Sequence, residues 1–397
     1  MCLAESREFP EDDRVTATPH FSPVTAPSLQ ALADQCVLCG LCLPVCPTYA
    51  LDLIEAESPR GRIALAKAWD AGTLDPTDTG DHHLDHCLGC RRCESACPAG
   101  VRYDAILTAA RERQRPRYRP SARQRAIEWL SAHPRTLSSL LSVYRVAWPL
   151  LPQSLRPLPR PPARLLDAPA FDRTETGTTA ALFLGCVARG YEQPLQRAVR
   201  RLAAKAGLNL SIPPAQTCCG SLHAHAGDSG RAATLATANR AAFCGAGTVL
   251  TLSSGCHDAL AVSLQGTVEV RDAITVIAER AEQMRFAPRI ERVALHLPCT
   301  QGSVVRNGDA LRGLLARVPG LEVVVIDAGY GCCGAAGTQM ITDPARAARF
   351  RQPLLDQLAA SAATRLLSAN IGCRLHLANG TACPVQHPIE FLSECLA

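Results

Sequence analysis

Two short stretches, CVLCGLCLPVCP at residues 36–47 and CLGCRRCESACP at 87–98, each carry four cysteines in the pattern C-x2-C-x2-C-x3-C-P. Tetrahedral zinc favours paired CxxC knuckles set apart from one another. The denser pattern suits cubic iron–sulfur clusters: three cysteines wrap one cube, and the fourth, turned away by the proline, reaches the other. On that logic Cys36, Cys39, Cys42 and Cys97 would ligate one [4Fe–4S] cluster, and Cys87, Cys90, Cys93 and Cys46 the second. Structural zinc is the competing reading.

A second kind of cysteine site occurs twice further on. QTCCGSLH (216–223) and YGCCGAAG (330–337) each place two thiols side by side ahead of a glycine. A disulfide between neighbours needs strained geometry, so each pair calls for another partner. The partners recur at matched intervals: Cys186 precedes Cys218 by 32 residues and Cys299 precedes Cys332 by 33, while Cys256 and Cys373 follow the pairs by 37 and 40. The sets Cys186, Cys218, Cys219, Cys256 and Cys299, Cys332, Cys333, Cys373 are therefore candidates for a further cluster or metal. The glycine would permit positive φ and close approach of backbone to a cluster. The plainer alternative is a pair of small buried hydrophobic residues.

These sites need elements to hold them. The 41-residue separation of Cys46 and Cys87 leaves room for helices, which implies a helical ferredoxin-type module inside a larger redox protein. In the second half, TAALFLGC (179–186) and RVALHLPC (292–299) are apolar, strand-like runs ending in cysteine. TVLTLSSGC (248–256) and TRLLSANIGC (364–373) are their later counterparts. Strand-like and helix-like runs alternate, so each unit reads as a small α/β domain with mostly parallel strands. The expected order is a polar tail over 1–28, a helical domain carrying both four-cysteine runs over 29–112, and a basic, Pro-rich connector over 113–178. Two repeated α/β domains follow, over 179–290 and 291–397.

Composition narrows the class. The chain has 397 residues, 47% hydrophobic and 19% charged, as a folded protein should, but 20 cysteines. The start, MCLAESREFPEDDR, lacks the apolar core of a secretory signal. Clustered cysteines then point to metal or redox chemistry in a reducing compartment. No apolar run reaches the length of a membrane span. The net charge of +5 conceals a basic segment: residues 111–164 hold twelve arginines against Glu112 and Glu128, a local +10. Within it, RTLSSLLSVYRVAWPLLP (135–152) has three readings: a face at a membrane interface, a contact with a partner subunit, or a basic helix packed within the chain. A nucleic-acid fold and stacked aromatics are lacking, so nucleic acid is not an expected partner.

Taken together, the two CxxCxxCxxxCP runs, SPRGRI between them, CPAGVRY after them, the two CCG units, and the closing SANIGCRLHLA and PVQHPIEFL resemble the iron–sulfur subunit of bacterial glycolate oxidase over nearly the whole length. Subunits of lactate-utilisation complexes, anaerobic glycerol-3-phosphate dehydrogenase and heterodisulfide reductase share the architecture. The resemblance implies two [4Fe–4S] clusters, with FAD only on partner subunits that oxidise glycolate to glyoxylate. This chain would pass the electrons to a membrane quinone, as a cytoplasmic protein peripheral at the inner membrane. A D-lactate or glycerol-3-phosphate complex is the alternative, with a thiol–disulfide enzyme or a zinc-stabilised scaffold behind it. One departure weakens the disulfide-reductase reading: Ser253 and Asn370 stand where those enzymes carry a fifth cysteine.

No G-x-G-x-x-G follows a strand, and no acid–base pair sits in a motif. Hydride transfer is a flavin's task, so no catalytic residue is expected here. His225, His296, His376 and His387 lie near the CCG segments. Each reads first as a satisfied structural histidine and second as a donor to a cluster sulfur. Cys2, Cys244, Cys383 and Cys395 remain outside the ligand sets; Cys244 and Cys383 read as packing residues and Cys2 as part of the tail.

Overall fold

The computed structural model describes residues 27–163 and 178–397. The expected tail, up to residue 26, and residues 164–177 of the expected connector lie outside the described residues.

The N-terminal part is helical. Its framework is the helix Pro59–Asp70 packed against Leu29–Ala33 and Tyr103–Gln114. Leu32, Ile63, Leu84, Ile106 and Leu107 form its core. The SPRGRI segment builds the helix start. Ser58 caps it by accepting from Gly61 N, and Pro59 occupies the first turn, where a missing N–H costs nothing. Gly61 is required because a Cβ there would lie 2.1 Å from the Glu55 carbonyl oxygen.

The second half contains two four-stranded parallel sheets. The first uses β1 (Thr178–Phe183), β2 (Leu208–Ser211), β3 (Thr248–Thr251) and β4 (Glu269–Asp272), in the order β2-β1-β3-β4. The second uses β5 (Glu291–His296), β6 (Leu321–Ile326), β7 (Arg365–Ser368) and β8 (Val385–Gln386), in the order β6-β5-β7-β8. Every pairing within the two sheets is parallel, and the orders correspond strand for strand. The sequence pattern revealed β1, β3, β5 and β7. It missed the other four: LNLS, EVRD and VQ are too short or polar to show a period, while LEVVVI, set off from the preceding helix by Pro319 and Gly320, was legible but passed over because no cysteine marks it.

One core joins the two α/β units. Helix Gln193–Lys205 turns Leu195, Val199 and Leu202 inward against Phe391 and Leu392 of helix Pro388–Glu394. The buried Arg374–Glu192 pair and the His387 Nε2 bond to the Leu252 carbonyl (3.1 Å) cross the same boundary.

Residues 113–163 are more regular than the open connector expected from their proline content. They carry the helices Ala122–Ala132 and Pro134–Ala147, with prolines in the loop before the first (Pro116, Pro120), in the first turn of the second (Pro134) and in the run after 148. Much of the positive charge there is structural. Arg111 donates to the carbonyls of Leu84, Asp85, Cys87 and His225; Arg115 pairs with Glu128 and Asp228; Arg117 pairs with Asp81.

Candidate iron–sulfur relay

The two four-cysteine loops share a backbone device. In the first, Leu38 (φ 56°) and Gly40 (φ 84°) are left-handed; in the second, Gly89 (φ 60°) and Arg91 (φ 57°) occupy the equivalent places. Left-handed backbone at leucine and arginine is costly, and its recurrence at matched positions indicates a shape that the loop requires. Such alternation turns successive N–H groups inward to form a concave anion cradle. The first loop is also held from outside, where Arg60 donates to the Leu38 carbonyl (3.1 Å) while paired with Glu55.

The loops close on two neighbouring cavities. The first, of about 440 Å³, is walled by Cys36, Cys39, Cys42 and Cys97, with Val37, Leu41, Ile63 and Val101 around them. The second, of about 300 Å³, is walled by Cys46, Cys87, Cys90 and Cys93, with Arg62, Thr48 and Leu88. The fourth cysteine of each run thus lies with the first three of the other. Pro47 contributes by opening the helix Pro47–Asp52 directly after Cys46. Pro59, Cys93 and Tyr103 face both cavities. Neither wall offers a carboxylate or an imidazole, so the donor set is sulfur alone, which suits iron–sulfur clusters. Cys39 is exposed, whereas Cys46, Cys90 and Cys93 are buried. Burial pushes the thiols of Cys90 and Cys93 up, so metal must displace protons on binding.

A charged hub below the second cavity went unrecognised in the sequence. Glu57 Oε1 accepts from His83 Nδ1 and His86 Nδ1 (2.7 Å each), and Oε2 accepts from Arg62 (2.6 Å). Arg346, from the second α/β unit, reaches Glu57 at 3.4 Å and also pairs with Asp52. Arg62 is 2% exposed and continues to Thr48 Oγ1, the Glu57 carbonyl and the His83 carbonyl. Glu57, His83 and His86 bring ligand atoms within 4.8 Å of one another. With two guanidinium groups on the same carboxylate, the trio is a hydrogen-bonded anchor, not a cation site. The only sequence signal was the arginine-rich SPRGRI itself.

The CCG cysteines gather at the carboxyl ends of the strands, where parallel sheets place their ligands. Cys186 follows β1, Cys218 and Cys219 follow β2, and Cys256 lies in the helix Ser254–Leu264 after β3. Their thiols form a chain of contacts from Cys186 to Cys218, to Cys219, to Cys256. In the second unit Cys332 gives a hydrogen bond to Cys299, and Cys373 gives one to Cys333. The bond from Cys332, with help from the Arg92 guanidinium, holds Cys299 below the usual thiol range against the opposing effect of desolvation. Each adjacent pair thus divides its contacts between two distant partners.

The glycines after the pairs are left-handed, with φ 86° at Gly220 and 82° at Gly334. At Gly334, a Cβ would lie 2.7 Å from both the Ala347 carbonyl oxygen and Phe350 Cβ. The close approach at this glycine is to the helix Pro344–Ala360, whose packing by itself demands a residue without a side chain.

The two kinds of site meet. Cys90 of the second cavity shares an apolar cluster with Leu88, Cys332 and Phe350, against which Cys299 packs. The first CCG unit touches the same loop from the other side, through His225 beside Gly89 and the Arg91–Asp258 pair (2.7 Å). The two CCG sites also face each other, where Asn370 Nδ2 donates to Ser254 Oγ (3.3 Å). Asn370 Oδ1 caps the helix Ile371–Ala378 by accepting from Gly372 N and Cys373 N. Asparagine at that position therefore has a structural task.

The histidines separate by role. His376 Nε2 donates to the Ala347 carbonyl (3.1 Å), and His387 caps the helix Pro388–Glu394. His296 is buried against Ser368, and burial holds it down at about 4. His225 faces Asp104 of the helical domain (3.5 Å). Cys395 is buried in the shared core and Cys383 is half-buried near the Ala363 carbonyl; Cys2 lies outside the described residues.

Paired sulfur-lined cavities, joined to two parallel-sheet domains with thiols at their strand ends, define an iron–sulfur electron-transfer protein. The chain matches the 4Fe-4S dicluster domain family over residues 32–101 and the Cysteine-rich domain family over 180–261 and 293–378. It is 30% identical to the probable glycolate oxidase iron-sulfur subunit of Bacillus subtilis, over 87% of this chain and 88% of that one. It is 28% identical to the glycolate oxidase iron-sulfur subunit of Escherichia coli, over 92% and 95%. A component of the dihydromethanophenazine:CoB–CoM heterodisulfide reductase of Methanosarcina barkeri is 25% identical over 94% and 96%. The chain belongs to the family of glycolate oxidase iron–sulfur subunits, and is a subunit of an oxidoreductase rather than an oxidoreductase complete in itself.

Proposed function

We propose that this chain carries electrons from FAD-containing partner subunits, which oxidise glycolate to glyoxylate, to a membrane quinone. The observation that supports the reading best is the contiguity of the sulfur sites: the first cavity shares Cys93 and Tyr103 with the second, and Cys90 of the second packs against Cys332. Cys36, Cys39, Cys42 and Cys97 would hold one [4Fe–4S] cluster, and Cys46, Cys87, Cys90 and Cys93 another. The CCG sets would hold further clusters or metal. Such clusters accept and release one electron at a time and abstract no hydride. The chain's residues fix the spacing of the sites, bury Cys46, Cys90 and Cys93 of the second, and leave Cys39 and its neighbours Val37, Leu38 and Leu41 at the surface, where a partner can approach.

Contact with the cytoplasmic face of the inner membrane belongs to the same proposal. Among the described residues no helix is long and apolar enough to cross a membrane. The helix Pro134–Ala147 and the turn after it expose Val143, Val146 and Leu150. These lie in the chain's basic segment, which suits an anionic lipid surface.

The test is an assembled complex carrying Cys332→Ser or Cys333→Ser. Glycolate should still reduce its flavin, while quinone reduction stops. Undiminished quinone reduction in both variants would remove the second CCG site from the relay.

A further inference from the structure

Tyr103 opens the helix Tyr103–Gln114 and is 5% exposed. Its ring belongs to the wall between the two sulfur cavities. Its hydroxyl is one-sided: the O–H donates to Cys87 Sγ at 3.5 Å, within range for a sulfur acceptor. Among the described residues no side-chain hydroxyl reaches Cys36, Cys39, Cys42 or Cys97.

The other polar groups at the second cavity are already committed. Thr48 Oγ1 lies 3.3 Å from Cys46 Sγ, but its proton goes to the Glu57 carbonyl at 2.7 Å. Arg62 spends its N–H groups on Thr48, Glu57 and the His83 carbonyl. Among the described residues the Tyr103 proton has no acceptor other than the sulfur of Cys87. Reduction of a cluster adds negative charge that is spread onto its ligand sulfurs. A hydrogen bond to such a sulfur therefore strengthens on reduction and raises the potential.

We propose that the Tyr103 hydroxyl is a positioning group that raises the reduction potential of the second centre relative to the first, and so favours electron passage from the Cys36 side of the shared wall to the Cys87 side. The inference rests on the reading that the second cavity holds an iron–sulfur cluster. With clusters held by the two cysteine sets, one electron would leave the first, oxidising it, and reduce the second, while the phenol would keep its proton.

Tyr103→Phe keeps the ring and removes only the donor. In the full chain, iron and sulfide are assayed and both midpoints are followed by potentiometric titration under paramagnetic resonance, with signals assigned from Cys39→Ala. The expected result is full iron content, a lower midpoint for the second centre and an unchanged first. An unmoved second midpoint, or equal shifts of both, overturns the inference. If Tyr103→Phe loses iron, a fluorinated tyrosine at 103, a stronger donor, should raise the second midpoint, and no rise overturns the inference. Wild-type protein without iron–sulfur signals would instead overturn the proposed function itself.

Discussion

Replacing Glu57 with glutamine measures how firmly the hub beneath the second cavity holds the molecule together. The carboxylate and the Arg62 guanidinium lie 2.6 Å apart with side chains 3% and 1% exposed. Removing the negative charge leaves a buried cation uncompensated, at a cost of about 3–5 kcal/mol. Titration leads to a similar size. Burial pushes the Glu57 carboxyl up, but the hydrogen bond from His86, the Arg62 charge and the hydrogen bond from His83 outweigh it and hold the group at about 2, against an ordinary 4.5. That drop corresponds to about 3 kcal/mol at about 1.4 kcal/mol per pH unit. The folded value lies below the unfolded one, so this stability is present above pH 4.5 and is lost as pH falls toward 2. The assay is anaerobic urea unfolding of the cluster-loaded chain near neutral pH, followed by circular dichroism and the visible cluster band. Glu57→Gln should lose about 3 kcal/mol. Combined with Arg62→Met it should lose clearly less than the sum of the two single changes. A Glu57→Gln protein within about 0.5 kcal/mol of wild type, or strict additivity in the pair, would refute the hub as a coupled unit.

Other outcomes follow from the same geometry. Cys39→Ala should remove about four irons per chain and weaken the visible band, leaving the second centre's signal; unchanged iron content on analysis would contradict the first ligand set. Gly334→Ala, with φ 82° and Phe350 in its way, should lower the melting temperature more than Gly337→Ala, which is left-handed with nothing within 4 Å and should cost about 1 kcal/mol. Burial pushes Asp272 up to about 6 from 3.8, so its charged form penalises folding increasingly as pH rises through that window. Asp272→Asn, which can still accept from Ile274 N, should therefore melt no lower than wild type at pH 7.5. Neutralising the exposed Arg119, Arg123 and Arg125 should reduce salt-sensitive binding to anionic vesicles in a sedimentation assay, whereas changing Arg115 and Arg117 should unfold the region by breaking their ion pairs.

What could be read from the sequence was what is local in the chain. Ligand spacing within eleven residues revealed the cysteine runs, and the matched intervals around Cys218 and Cys332 revealed the duplicated α/β unit. The Glu57 hub could not be read that way, because Arg346 lies 289 residues from its partner and only the folded chain brings them together. Counting arginines gave a basic surface, yet Arg111 and Arg115 spend their charge on internal carbonyls and carboxylates, which composition does not reveal. The left-handed backbone at the glycine of each CCG was legible in the sequence, whereas the helix bearing Phe350 that packs on Gly334 was not.

Electrons from a flavoprotein should enter this chain's sulfur sites. Rapid-freeze paramagnetic resonance of the assembled, anaerobic complex mixed with glycolate tests this directly. Cluster signals of this chain should grow as the flavin is reduced and reoxidised, and the chain alone should oxidise no glycolate. Clusters that stay oxidised through turnover, or glycolate oxidation by this chain without its flavoprotein, would contradict the claim.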